Sequence, residues 1–224
     1  MMPPIIAILA HSVGRCYSGK EKIQKKPPQG GERMTDLLLN AAIAALMLGV
    51  LLYFGRKDGR WTTSVLRSAF RYFTVLSNVL CAAAALLMCI FPQVRWTWTL
   101  KYVGTAAVTV TMLTVLLFLG PALGYRPLLS GSDLIMHLIT PILALVSFCA
   151  FERRSMGFGR ALLGLLPVTL YGVLYAYKVL LAPPGKAWED FYGFNKGGKF
   201  YISILAMLTG NLLICLVLMA LQNL

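Results

Sequence analysis

At 224 residues, with 58% hydrophobic and only 13% charged residues and a mean hydropathy of +0.72, the chain is too apolar for a soluble fold; ordinary soluble domains carry roughly 25% charged residues. The net charge of +13 invites a nucleic-acid reading, but the basic residues lie in the N-terminal segment and between apolar blocks, where they suit phosphate headgroups rather than a DNA face. Composition therefore excludes a soluble enzyme and a nucleic-acid binder, and predicts an all-α polytopic membrane protein, a bundle of about six transmembrane helices.

Residues 1–33 stand apart as a short apolar run followed by a basic, Pro/Gly-rich stretch. A signal peptide places its positive charge before the apolar run, and here the order is reversed. Gln29-Gly30-Gly31 directly ahead of Glu32-Arg33-Met34 can be encoded by CAA-GGA-GGA, a purine-rich ribosome-binding string just upstream of ATG. The hypothesis is that Met34 is the true start in a bacterial gene, with 1–33 an upstream leader wrongly read as protein and 34–224 the transmembrane domain. Recovery of peptides from 1–33 in natively expressed protein would sink it. The alternative is a disordered basic tail.

From Met34 the apolar blocks have the length that crosses a hydrocarbon core of about 30 Å. Helices are expected over about 36–54, 70–91, 100–119, 132–151, 160–181 and 199–222. Phe91-Pro92, Gly120-Pro121 and Pro183-Pro184 supply stops, and Ser130-Gly131-Ser132 supplies a start. No internal repeat points to a transporter. Cys16, Cys81, Cys89, Cys149 and Cys215 form no C-x-x-C pair, and His11 and His137 are the only histidines, so neither a disulfide framework nor a metal site is expected.

Six spans put both termini on one side, A, and loops 1, 3 and 5 on the other, B. Counted from Met34, side A carries Arg95, Lys101, Arg153, Arg154 and Arg160, and side B carries the larger share, which places B in the cytoplasm. Counting the basic residues of 1–33 reverses the answer, so the sequence supports both orientations. The expected location is the cytoplasmic membrane of a bacterium.

Polar groups at membrane depth are costly and default to function. The second segment opens Arg71-Tyr72-Phe73-Thr74-Val75-Leu76-Ser77-Asn78, with Thr74 and Asn78 one turn apart. The fourth opens with Asp133, His137 and Pro141 at successive turns. Both enter from side B, with Thr74 about four and His137 about five residues in, so at about 1.5 Å per residue their depths match. An imidazole beside a hydroxyl is the minimum for activating an oxygen nucleophile. Asp133 is placed to orient the ring in a triad-like arrangement. Pro141 cannot donate to the His137 carbonyl and predicts a kink there.

Tyr171, Tyr175 and Lys178 line one face of the fifth segment, and Trp188, Glu189, Asp190, Phe191, Tyr192 and Phe194 follow in the loop. With Arg71 they suggest a substrate mouth, and Lys178, a tyrosine or Asn78 is a candidate oxyanion donor. Blander readings stand beside each. A membrane Thr often bonds its own helix backbone, Asp133 suits a helix N-terminus, and Tyr, Trp and Lys at helix ends commonly anchor or snorkel.

At Phe70–Asn78 and His137-x-x-x-Pro141 the chain resembles the androgen-induced family of six-helix membrane proteins, with its bacterial Pr6Pr branch. The resemblance covers most of Met34–Leu224. It implies a threonine hydrolase with Thr74 as nucleophile and His137 as general base, as in animal members that cleave esters of fatty acids with hydroxy fatty acids. The Trp188–Phe194 segment departs from the animal pattern, which leaves the ester open. The expected function is hydrolysis of a membrane lipid or fatty-acyl ester, with no cofactor. The rivals are a small-solute or proton transporter using His137 and Asp133, and a non-enzymatic lipid-binding protein.

Overall fold

The computed structural model describes residues 30–57 and 60–224; most of the expected leader or tail lies outside the described residues, together with His11 and Cys16. Six helices are long and apolar enough to span a membrane. They are α1 (Gly31–Gly55), α2 (Phe73–Ile90), α3 (Arg95–Leu123), α4 (Gly131–Phe151), α5 (Phe158–Leu181) and α6 (Phe200–Asn223). The chain is an all-α membrane bundle, as its composition requires. Large apolar side chains such as Leu48, Leu86, Leu117, Leu170 and Leu205 stay exposed on its outside, a surface that lipid solvates and water does not.

Helix α3 forms the axis. Its middle, Gly104–Met112, is buried without interruption and built of small and β-branched residues. Small side chains let neighbouring backbones approach, and dispersion replaces the hydrophobic drive that a bilayer does not supply. A Cβ added to Gly104 would sit 2.8 Å from the Cys81 Cα of α2, closer than such atoms can approach. Around this axis Ile43, Met47, Val75, Cys81, Val108 and Met136 tie α1 to α4 into one core. A second core, with Trp98, Tyr102, Phe148, Cys215 and Leu218, joins the side-A ends of α3, α4 and α6.

Two helix starts differ from expectation. The second helix, expected over 70–91, begins at Phe73. It is preceded by a separate short helix, Thr63–Ala69, whose first turn is capped by the Thr62 hydroxyl accepting from Ser64 N–H. Thr74 is thus the second residue of α2, not the fourth or fifth. The third helix, expected over 100–119, begins at Arg95, so Lys101 lies nearly two turns inside it. The kink expected at Pro141 takes the form of a π turn, Ile135–Ile139, in which the Thr140 N–H reaches back to the Ile135 carbonyl. Widening the helix by one residue absorbs the donor that proline lacks. Such turns also occur in α3 at Val115–Leu119, at the end of α4 at Ser147–Phe151 and in α5 at Tyr177–Leu181.

Candidate active site

Thr74 and His137 meet. The Thr74 Oγ1 lies 3.4 Å from His137 Nε2, longer than the usual hydrogen bond of about 2.7–3.0 Å. Catalytic contacts of this kind commonly tighten only when substrate is bound. The Thr74 hydroxyl therefore faces the imidazole rather than the carbonyls of its own helix. His137 is buried, and its Nδ1 lies 2.7 Å from the Leu128 carbonyl. A carbonyl oxygen only accepts, so Nδ1 carries the ring proton and donates. Nε2 is then the basic nitrogen, with its lone pair toward Thr74. A general base for a hydroxyl needs this tautomer.

The two helices are held in this relation by Asn78. Its Nδ2 donates to the Thr74 carbonyl at 2.8 Å and across to the Met136 carbonyl on α4 at 3.0 Å. Met136 immediately precedes His137 within the π turn, so the amide ties the helix of Thr74 to that of His137. Ser77 extends the tie to α3, with its Oγ 3.0 Å from Thr111 Oγ1 and donating to the Thr74 carbonyl at 3.0 Å.

Thr74 also lines a cavity of about 490 Å³, within the range of about 300–1,000 Å³ typical of small-molecule sites. Its wall is almost wholly apolar and comes from α2, α3, α5 and α6, through residues such as Phe73, Val115, Val168, Ile204 and Leu208. Where α5 and α6 face each other across it, Gly172 contributes backbone and no side chain to the wall. The arrangement suits an acyl chain better than a polar solute.

The loop after α5 caps this cavity on side B around Asp190. Asp190 Oδ1 accepts from the Tyr175 hydroxyl at 2.8 Å and from Phe194 N–H at 2.9 Å, and Oδ2 accepts from Asn195 N–H at 2.7 Å. Phe191, Tyr192, Phe194 and Phe200 pack their rings around Tyr175. Tyr192 closes the cap onto α2: its oxygen accepts from Phe73 N–H at 2.9 Å, satisfying one of the free donors of the helix start. Burial pushes the Tyr192 phenol up to about 12, so its proton stays in place across ordinary pH.

Several expected roles are corrected by this geometry. Asp133 does not hold the imidazole, because the Leu128 carbonyl occupies Nδ1; it sits in the first turn of α4, where a carboxylate suits the helix dipole. Lys178 is turned away from Thr74, toward the Lys186 carbonyl at 3.4 Å and the Trp188 ring at 5.7 Å. Trp188 and Arg71 are not on the cavity wall. Trp188 lies against Tyr175 from the loop side, and the Arg71 guanidinium lies over the Tyr72 ring at 5.4 Å. Asn78 and Tyr175 have spent their donors as described, which leaves both as positioning residues.

The sequence reading missed a second polar centre at side A. Lys101, counted as a topology charge, is fully buried and lies 3.4 Å from Glu152 Oε1 with both side chains out of solvent. Asn40 and Ser147, also buried, complete the cluster with Asp36. Its signal in the sequence is Asp36 and Asn40 one turn apart at the start of the first apolar block. No known protein family, curated protein or solved structure matches the chain.

Proposed function

We infer that the protein is an intramembrane hydrolase of fatty-acyl esters in the cytoplasmic membrane of a bacterium. The observation that carries this reading is the Thr74 hydroxyl, set 3.4 Å from the acceptor nitrogen of His137 and on the wall of the 490 Å³ apolar cavity. A fatty-acyl chain fills the cavity and brings its ester carbonyl to Thr74. His137 Nε2 takes the hydroxyl proton as Oγ1 attacks the carbonyl carbon, and the imidazolium gives that proton to the departing alcohol. Water then attacks the acyl-threonine, with the same nitrogen as base, and releases the fatty acid. The Tyr192 hydroxyl lies on the same wall and accepts from Phe73 N–H, and its own proton, which the neighbouring Tyr171 phenol holds in the resting site, turns to the developing oxyanion. The resemblance to the androgen-induced family points the same way.

The test is labelling by a fluorophosphonate probe in lipid nanodiscs. Wild type is expected to label at Thr74, while folded Thr74→Ala and His137→Ala are not. Absence of labelling in folded wild type, where a control hydrolase reacts, would overturn the reading. A second reading rests on the cavity alone: a lipid-binding protein in which Thr74 and His137 only join α2 to α4. It predicts bound lipid, no adduct and an equal loss of stability in both variants. The transport reading finds no hydrogen bond between its proposed pair, since His137 bonds Leu128.

A further inference from the structure

The side-A cluster carries more charge than it can hold ionised. Asn40 Nδ2 donates to Asp36 Oδ1 at 3.0 Å and to Glu152 Oε1 at 2.7 Å. Ser147 Oγ stands 3.1 Å from the first of these oxygens and 3.0 Å from the second. Two carboxyl groups thus crowd onto the same two donors. Among the described residues the one buried cation facing them is Lys101, which also hydrogen-bonds Asn40 Oδ1 and Ser147 Oγ. Glu152 Oε2 is buried with no hydrogen-bond partner, an unstable position for a full negative charge.

Among the described residues no second cation hydrogen-bonds or ion-pairs with either carboxyl group, although the Arg154 guanidinium acts on both through its field. On the α1 side Arg33 is exposed and lines the same pocket as Asp36 and Asn40. From α2 the nearest titratable group is Cys89, whose Sγ faces the Leu37 carbonyl. From α3 there are Lys101 and, at the helix start, Arg95. Beyond α4, Arg153 bonds the Cys149 carbonyl, and Arg154 bonds the Pro92 carbonyl and covers the Trp98 ring. One ammonium and two carboxylates leave one excess negative charge in a low-dielectric site, and a bound proton removes it.

We propose that Asp36 and Glu152, with Lys101, form a proton-binding site at the end of the bundle opposite Thr74 and His137, holding one shared proton at neutral pH. Access is from side A. A pocket of about 240 Å³ is lined by Asp36 and Asn40 together with Met34, Leu37, Met88 and Cys89. Asp36 is the port, being partly exposed, and Glu152 is the buried partner. The proton comes from side-A water and returns there. Its release leaves two carboxylates facing one ammonium, and the site then repels itself across the junction of α1, α3 and α4. The site makes the packing of these helices responsive to pH on side A.

The test is infrared difference spectroscopy of the full chain in lipid nanodiscs, comparing neutral with alkaline buffer. Wild type is expected to show a protonated-carboxyl band at neutral pH that disappears on alkalinisation, with release of one proton per chain. A shared proton makes a distinctive demand of the variants. Asp36→Asn and Glu152→Gln each remove the excess charge, leaving the remaining carboxylate paired with Lys101, so each alone is expected to abolish the band. No band in neutral wild type overturns the proposal. So does a band that survives Asp36→Asn, or one lost in Asp36→Asn but retained in Glu152→Gln, which would assign a private proton to Asp36. If Glu152→Gln does not fold, carboxyl-13C labelling of the aspartates and of the glutamates in turn decides in wild type, because a shared proton gives a band that shifts with both labels and a private one a band that shifts with one.

Discussion

Helix α4 carries a polar centre at each end, and the two are built on opposite principles. At side B, His137 and Thr74 share one long contact beside a roomy apolar cavity. At side A, Glu152 joins Lys101, Asn40, Ser147 and Asp36 in a dense network on three helices. About fifteen residues separate His137 from Glu152, or roughly 22 Å at about 1.5 Å per residue. A polar group in a membrane must be satisfied, and it either spends its hydrogen-bonding capacity on the protein or keeps some for a ligand. The side-A cluster spends nearly all of it; the side-B pair keeps a hydroxyl on the cavity wall with a basic nitrogen behind it.

The contrast is broken most decisively at side B. Thr74→Ala and His137→Ala are each expected to lower ester hydrolysis by at least about 10²–10⁴-fold, the range for losing a positioned base or its nucleophile. Both variants should keep the wild-type melting temperature within a few degrees, because Asn78 ties α2 to α4 and Ser77 ties α2 to α3. Hydrolysis of a fatty-acyl ester measured alongside thermal unfolding in the same nanodiscs separates the two effects. Equal loss of stability with unchanged hydrolysis would make side B as structural as side A.

The opposite pattern is expected at Lys101. Replacing it with Met leaves two buried carboxyl groups without their cation, and breaking such a pair typically costs about 3–5 kcal/mol. Any Lys101→Met protein that folds should still label at Thr74. The double change Lys101→Met with Glu152→Gln is expected to recover much of the stability, since the loss comes from the charge left unpaired. Recovery is read as the double-mutant coupling in denaturant or thermal unfolding.

The two ends also differ in how plainly the sequence announces them. Thr74 and His137 stand near the starts of two apolar segments, so their cost in lipid marks them at once. Lys101, Glu152 and Asp36 lie near helix ends, where charges ordinarily reach headgroups, and an α3 start placed five residues late made Lys101 look like one of these. The Leu128 carbonyl that holds His137 has no legible signature, because every residue has such a carbonyl and only the chain path after α3 brings this one to the ring. Asp133 stands at the right helical spacing, but the Leu128 carbonyl holds the nitrogen it was expected to orient. The cavity is equally hidden, since it is the space left between four helices and belongs to no single segment.

Tyr192 sharpens the comparison on a smaller scale, because it is both a cap for α2 and the remaining oxyanion donor. Tyr192→Phe is expected to lower kcat by about 10–10²-fold with KM little changed, below the cost of about 10²–10³ for a dedicated oxyanion donor. Its lost hydrogen bond to Phe73 N–H costs about 0.5–1.5 kcal/mol of stability. Burial raises the folded-state phenol to about 12, above its ordinary value. The protonated donor is therefore present at all lower pH, and its stabilisation is lost only as pH rises through that value. An alkaline loss of activity near neutrality, abolished in Tyr192→Phe, would contradict this assignment.

Asp133→Asn has the smallest expected effect and bears most directly on how the side-B pair is held. If the Leu128 carbonyl fixes the ring tautomer, the variant changes hydrolysis by no more than about threefold, less than 1 kcal/mol in the barrier. It loses only the favourable placement of a carboxylate at the start of α4, about 0.3–1 kcal/mol of stability. If Asp133 held the imidazole during turnover, as in a serine-type triad, the same change would give the wrong tautomer and cost about 10⁴-fold. A loss of that size would mean that the ring swings from Leu128 to Asp133 when substrate binds. Side B would then have a moving part, and the 3.4 Å contact would be its resting position. A loss within threefold would leave a dyad oriented by the backbone. Its base would then be set by the path of the chain between α3 and α4 rather than by any third side chain.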